Sequence, residues 1–300
     1  MLKIKKWLIL ILAFGLTFFF WLIKIKPSLW RRQYQFNLAL VGPNNLILLA
    51  ADPMQKTAFG ALFPGNLLVE SFGGYGQLRV GKIDDLALQE GEESIIPKTI
   101  EQYFGFPLDF WIYEPARFDD EGINLKSIKR RIKGLIFSTQ KLSFSDRINL
   151  FYLSHFLSDN RLLWQFNQNG MEFCQEQEDV YSLDREKWDD WASVYLADST
   201  LKDERIAVGV YNAAGSAGLA REFARVLTNA GLVVVATKDT DRLVENCLVG
   251  LKSEQVKRSR AFARLNRLTR ECQVEVLSAK EFVDSTRINV YLGENFLKIR

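Results

Sequence analysis

The sequence predicts an α/β chain of the α+β kind: an N-terminal transmembrane helix, a mixed-sheet α/β/α domain, then a small β-α-β-β-α-β domain. Three observations predict it. A charge-free apolar run fills residues 7–23 and is bracketed by lysines. Two continuous apolar segments, FNLALV (36–41) and LILLAA (46–51), are separated by the turn cluster GPNN, as in strands covered on both faces. From Arg205 onward a strand, a small-residue turn, a helical period and a Val-rich strand follow in order. Length fits a tail and two domains, drawn here as 1–32, 33–195 and 203–300 of 300 residues.

The first segment reads WLILILAFGLTFFFWLI. As a helix, its 17 residues span about 26 Å, slightly less than a hydrocarbon core. Trp7 and Trp21 sit where interfacial aromatics belong, and Lys6 and Lys24 close the gap by snorkelling. KIKPSLWRR follows, with no small-x-small cleavage site, so an uncleaved anchor is expected rather than a signal peptide. A buried core helix would show a polar face, and none exists. Basic residues flank both ends, so charge alone does not orient the span.

The net charge of +3 hides an asymmetry. Residues 1–32 carry seven basic residues and no acid, which leaves 32 basic against 36 acidic residues in the remainder. A mildly acidic soluble part argues against nucleic acid as a partner. Cys174, Cys247 and Cys272 show no CxxC spacing, so neither a disulfide framework nor a zinc site is expected. His155 is the sole histidine, and nothing beside it matches a Ser-His-Asp or Cys-His signature; a packed or half-exposed structural role is expected.

Within the first domain, 36–41, 46–51 and 67–71 read as strands. Residues 100–104 read as part of a short helix after Pro97. Residues 123–136 place Ile128, Ile132 and Ile136 at helical spacing opposite a run of Lys and Arg, a solvated helix face. Residues 146–166 begin with another amphipathic helix.

The order of NLILLAADP, GGYGQLRVGKIDDL and KTIEQYFGFPLDFWIY resembles the catalytic domain of the LytR-CpsA-Psr family over residues 36–115. That resemblance implies a membrane-anchored phosphotransferase moving glycopolymers from polyprenyl-pyrophosphate carriers to the bacterial cell wall. The departures matter more. The family pattern has an Arg-Ser-Asp stretch after its first strand and an Arg-Asp pair after a later one. Here GPNN joins the first strands directly, and the later position reads LFPGN. Gripping a pyrophosphate and its divalent metal needs several guanidinium groups and a carboxylate converging. Only Arg79 and Lys82 remain as candidate phosphate contacts, so a degenerate domain with no catalytic residue, metal or cofactor is expected.

In the second domain, 205–211 is a strand, 217–230 a helix with Leu219, Phe223, Val226 and Leu227 on one face, and 232–236 a strand. Residues 247–251 read as a third strand, 253–272 as one long helix begun by Ser253, 273–277 as an edge strand and 287–292 as the last strand. The order suggests a split βαβ sandwich. Gly215 and Gly218 do not complete GxGxxG, so Asp239 is not expected to bind a ribose. VYNAAGSAGLAREFARVLTNAGLVVVATKD with the closing INVYLGEN resembles the C-terminal domain of LytR-type proteins. This implies an extracytoplasmic accessory module.

Lys257, Arg260, Arg264 and Arg267 fall at helical spacing and form a candidate basic stripe for an anionic envelope polymer or lipid headgroups; an ordinary solvated face is the competing reading. The expectation is a single-span, extracytoplasmic envelope protein without a catalytic centre. A glycopolymer phosphotransferase with a rebuilt site is the alternative, and arginines with an aspartate from distant parts of the chain meeting in a cleft would overturn the non-catalytic expectation. A regulatory anchor facing the cytoplasm is a third reading.

Overall fold

The computed structural model describes residues 34–113 except 53 and 56, residues 143–156, 162–164, 173–177, and 180–296 except 284, together with residues 7, 14–17, 130, 133 and 134. The chain opens with β1 (Phe36–Val41), β2 (Asn45–Asp52) and β3 (Thr57–Pro64). The short strands β4 (Leu68–Glu70) and β5 (Gln77–Arg79) form a hairpin, followed by α1 (Ile83–Glu90), α2 (Ile95–Phe104) and β6 (Phe110–Tyr113). Then come α3 (Phe144–Phe156), β7 (Leu162–Trp164), β8 (Phe173–Gln177), β9 (Val180–Leu183), α4 (Arg185–Tyr195) and α5 (Ser199–Glu204).

The first sheet has the order β6-β1-β2-β3-β7. Strands β1 and β2 pair antiparallel, Phe36 opposite Ala51 and Val41 opposite Leu46, around the GPNN turn. Both strands are buried almost throughout, as their unbroken apolar runs require. Strand β3, which the sequence reading passed over, pairs with the far edge of β2. Its Gly60 and the terminal Pro64 weaken the strand signal, and the pairing with β2 overrides that weakness.

Alternation of side chains across the sheet sends its residues into two different cores. Ala39, Val41, Leu46 and Leu48 face α1, α2 and α4. There Phe63, Phe104 and Trp188 fill the layer, with ring centroids 4.7 Å apart for Phe63–Phe104 and 5.1 Å for Phe63–Trp188. The Trp188 indole N–H donates to the Phe104 carbonyl at 2.6 Å, so its one polar atom is satisfied. Phe36, Leu38, Leu40 and Leu49 point the other way, into a core continuous with the second half of the chain.

That second half contains β10 (Ala207–Asn212), α6 (Leu219–Asn229), β11 (Val233–Asp239), β12 (Cys247–Leu251), α7 (Arg260–Leu268), β13 (Gln273–Val276) and β14 (Ile288–Leu292). Its sheet runs β11-β10-β14-β12-β13. The split βαβ expectation is corrected here. Strands β10 and β11 are direct parallel neighbours, as are β12 and β13, and β14 closes the gap between the two units. The single long helix is corrected too. Ser259 is extended (φ −76°, ψ 153°) and separates a 3-10 turn, Glu254–Arg258, from α7. Two caps hold that break. Ser259 Oγ accepts from the Phe262 N–H at 3.0 Å, and the Glu204 carboxylate accepts from Arg260 N and Ala261 N at 3.0 and 2.9 Å. The sequence suggests no disulfide framework, yet Cys247 and Cys272, 25 residues apart, are bonded. Strand β12 and the turn after α7 bring them together, which spacing along the chain did not reveal.

The predicted span at 7–23 lies largely outside the described residues; within it, residues 7 and 14–17 are helical and exposed. Among the described residues no helix is long and apolar enough to cross a membrane. The basic helix at 123–136 also lies largely outside them, with 130, 133 and 134 helical and exposed.

Candidate functional site: the seam between the two sheets

The sequence PLDF places one carboxylate inside an aromatic stretch. Asp109 is consequently buried just ahead of β6, and its side chain has no solvent exposure. Its Oδ2 accepts from the Asn37 N–H at 2.9 Å, which anchors it to β1. Its Oδ1 accepts from Arg264 Nη1 at 2.6 Å. Arg264 comes from α7 of the other sheet and is itself only 2% exposed along its side chain. The guanidinium lies 5.0 Å from the centroid of the Tyr34 ring and donates weakly to the Pro107 carbonyl at 3.4 Å. Burial pushes the Asp109 carboxyl up, against the Arg264 charge and the Asn37 N–H. Burial acts to lower Arg264, and the adjacent Asp109 charge overrides it, so the guanidinium stays charged.

Further links run along the same seam. Arg225 on α6 is ion-paired with Asp189 on α4 and donates to the Gln102 and Tyr103 carbonyls at 2.9 and 3.0 Å, the last turn of α2. A cation there satisfies orphan carbonyls and the negative end of the helix dipole. Gly105, the α2 C-cap, has φ +58°, and a Cβ on it would stand 2.8 Å from Asn229 Nδ2. Gln35 N donates to Asp198 Oδ2 at 2.7 Å, while Asp198 Oδ1 caps α5.

A cleft of about 290 Å³ opens on this seam, walled by α2, β6, the end of α7 and the Cys247–Cys272 disulfide. Lys98, Trp111, Arg267 and Arg270 line it. A second cleft, about 160 Å³, lies between α2 and the small-residue turn before α6 and is lined by Phe72, Leu219, Phe223 and Val226. Lys98, Glu101 and Phe296 border both.

The predicted site residues are not brought together. Arg79 and Lys82 are exposed near α1, and Lys82 Nζ is paired with Asp85 at 2.8 Å. Gly81 packs there so closely that a Cβ would lie 2.0 Å from the Pro43 carbonyl oxygen. The basic stripe is corrected. The break at Ser259 takes Lys257 out of phase with α7, and Arg264 turns inward to Asp109. Lys257 is exposed and paired with Glu254 at 2.9 Å, Arg260 is half-buried, and Arg267 faces the seam with its Nε 3.7 Å from Asp109 Oδ1. Asp109 was missed by sequence reasoning, although a lone acid amid aromatics is a signal for a buried pair.

Arginines and an aspartate from distant parts of the chain therefore do meet. The chemistry they offer is narrow. Asp109 is closed to solvent, and both of its oxygens are engaged. A divalent ion carrying a diphosphate needs carboxylates facing an open position, and this donor set does not fit one. Among the described residues no group of three or more His, Cys, Asp or Glu side chains is placed to hold a metal ion. His155 lies in α3, and its side chain is outside the described ones.

Comparison with known proteins adds three findings. Residues 205–296 match the family described as LytR cell envelope-related transcriptional attenuator. No curated protein matches the chain. Solved structures with similarity include TagT of Bacillus subtilis, 13% identical, covering 56% of this chain and 92% of that one at a TM-score of 0.34. Another is the Lin1025 protein from Listeria innocua, 11% identical, covering 54% and 97% at 0.36. A third is a LytR-CPS2A-psr family protein, YwtF (TagT), with bound octaprenyl pyrophosphate lipid, 13% identical, covering 56% and 91% at 0.33. At these TM-scores the likenesses carry no functional conclusion. Residues 205–296 are thus similar to that family, in a chain with similarity to solved LytR-CpsA-Psr proteins.

Proposed function

We propose that this chain is a single-span envelope protein whose two domains, 33–195 and 203–300, lie outside the cytoplasmic membrane and bind or scaffold envelope components without turnover. The LytR C-terminal domain supports the envelope assignment. The Cys247–Cys272 disulfide supports an oxidising compartment, since such bonds rarely persist in the cytosol. The apolar run at 7–23 supports the anchor. One observation carries the non-catalytic reading: the aspartate that meets arginines across the seam is sealed inside an ion pair.

The second reading is a glycopolymer phosphotransferase acting on polyprenyl-pyrophosphate-linked substrates, and the convergence of Arg264 and Arg267 on Asp109 favours it. The full chain in detergent, given a polyprenyl-diphosphate-linked sugar with Mg²⁺ or Mn²⁺, separates the two. Diphosphate cleavage at background rate supports the binding reading, and turnover ends it. A reporter fused after Arg300, active only outside the membrane, is expected; activity only inside would place the domains in the cytoplasm.

A further inference from the structure

Two largely buried cations on the seam have only long ion pairs, Lys98 with Glu92 and Arg267 with Asp109, and few hydrogen bonds. Lys98, on α2, has a side chain only 11% exposed, yet its ammonium makes no hydrogen bond among the described residues. Its nearest carboxylate oxygen, on Glu92, is 3.8 Å away, and the Phe72 ring centroid lies 4.8 Å off. Arg267, on α7, is 14% exposed. Its single hydrogen bond among the described residues goes from Nη2 to the Asp109 carbonyl at 3.4 Å. A guanidinium carries five N–H donors, so most of those on Arg267 are unused. Donors left unused on a largely buried charge are costly, and an incoming oxyanion reduces that cost.

Both side chains line the larger seam cleft, one from each sheet's half of the molecule. Arg270 adds an exposed third cation at its rim. The acids on the same walls are Glu101, whose Oε1 accepts from the Leu108 N–H at 2.9 Å, and the exposed Glu271. Asp109 is already matched by Arg264. Glu92 balances Lys98 from outside the cleft, and Glu101 is engaged by a backbone N–H, so the cations and not the acids present open donors to the cleft. Trp111 offers a ring for a flat or sugar-like body, and a volume of about 290 Å³ admits only a small ligand.

We infer that the seam cleft is a binding site for a small organic oxyanion, a phosphate or carboxylate held between Lys98 and Arg267 with its body against Trp111. The inference deepens the binding reading above and rests on it only for the compartment that supplies the ligand. The walls are fixed in advance by the Arg264–Asp109 pair and by the disulfide, so binding needs little reorganisation.

Isothermal titration of the full chain in detergent tests this, with inorganic phosphate, glycerol 3-phosphate and glucuronate as probes. Saturable binding is expected for at least one probe below about 10 mM, with an organic phosphate tighter than inorganic phosphate if the body contributes. Lys98→Met and Arg267→Met are each expected to weaken binding about tenfold or more, while Lys257→Met leaves it unchanged. Near-UV circular dichroism checks that each variant keeps its packing. Lys98→Met, which breaks no hydrogen bond, stands as the deciding variant should Arg267→Met fail to fold. No binding of any probe, or equal binding by a folded Lys98→Met variant, overturns the site. Turnover in the diphosphate assay would end the non-catalytic reading and leave this site standing.

Discussion

Arg264 Nη1 and Asp109 Oδ1 lie 2.6 Å apart across the seam, and solvent reaches neither side chain beyond 2%. One charge belongs to α7 of the second half and the other to the segment leading into β6 of the first sheet. Because β1 sends Phe36, Leu38 and Leu40 into the same core as Phe223 and Leu265, the pair sits in a shared interior and not on a loose contact between neighbours. The second half of the chain is part of what buries the first sheet.

Arg225 should matter nearly as much as a core residue. It unites α6 with the last carbonyls of α2 and with Asp189. Arg225→Met keeps the stem and removes these bonds, and about 1–3 kcal/mol of stability should be lost. Urea melts of the full chain in detergent check this; a loss under a few tenths of a kcal/mol would show the contacts to be incidental.

The disulfide predicts a thiol count. Denatured without reductant, the chain should expose one reactive thiol, Cys174, and after reduction all three. Replacing Cys247 and Cys272 together by Ser should cost about 3.5 kcal/mol, the loop-closure value for a 25-residue separation. Three thiols before reduction would contradict both the bond and the compartment it supports.

Gly105 is required by geometry. At φ +58° an L side chain is strained, and the added Cβ would press on Asn229. Gly105→Ala should destabilise by about 1–3 kcal/mol, whereas Gly91→Ala, with φ +67° but open space around it, should cost less. Parallel melts of the two variants decide the point, and equal losses would show that conformation alone matters.

Glu281 gives a pH signature. Desolvation acts to raise its carboxyl, but the Arg242 hydrogen bond, the Ser278 N–H and the Arg242 charge outweigh it and hold it below the usual carboxylate range. A depressed acid contributes stability above its unfolded value, and that contribution is lost as pH falls through the folded value. The turn at Ala279–Glu281 should therefore loosen only in acid, and Arg242→Gln should raise the carboxyl's midpoint in an NMR titration. An unchanged midpoint would remove Arg242 as the cause.

Much of the fold was legible in local pattern. Strands β1, β12 and β13 and helix α6 follow from apolar runs, turn chemistry and helical period, within a residue or two. The candidate site was not. Arg264 and Arg267 sit at helical spacing with other cations and so resemble a solvated face. Only the fold shows that Asp109, 155 positions earlier, turns Arg264 inward. The break at Ser259 was hidden for a similar reason, since its second cap is Glu204, 56 positions before Arg260. Strand β3 was lost because Gly and Pro weaken its pattern while pairing with β2 restores it. Long-range partners leave no periodic trace.

The claim that the pair joins the two sheets has a direct test in a double-mutant cycle on Asp109 and Arg264, read by equilibrium unfolding. Asp109→Leu alone should strand a buried cation and cost about 3–5 kcal/mol, while adding Arg264→Met should restore most of that loss. Additive losses from the two substitutions, with no coupling between them, would contradict it.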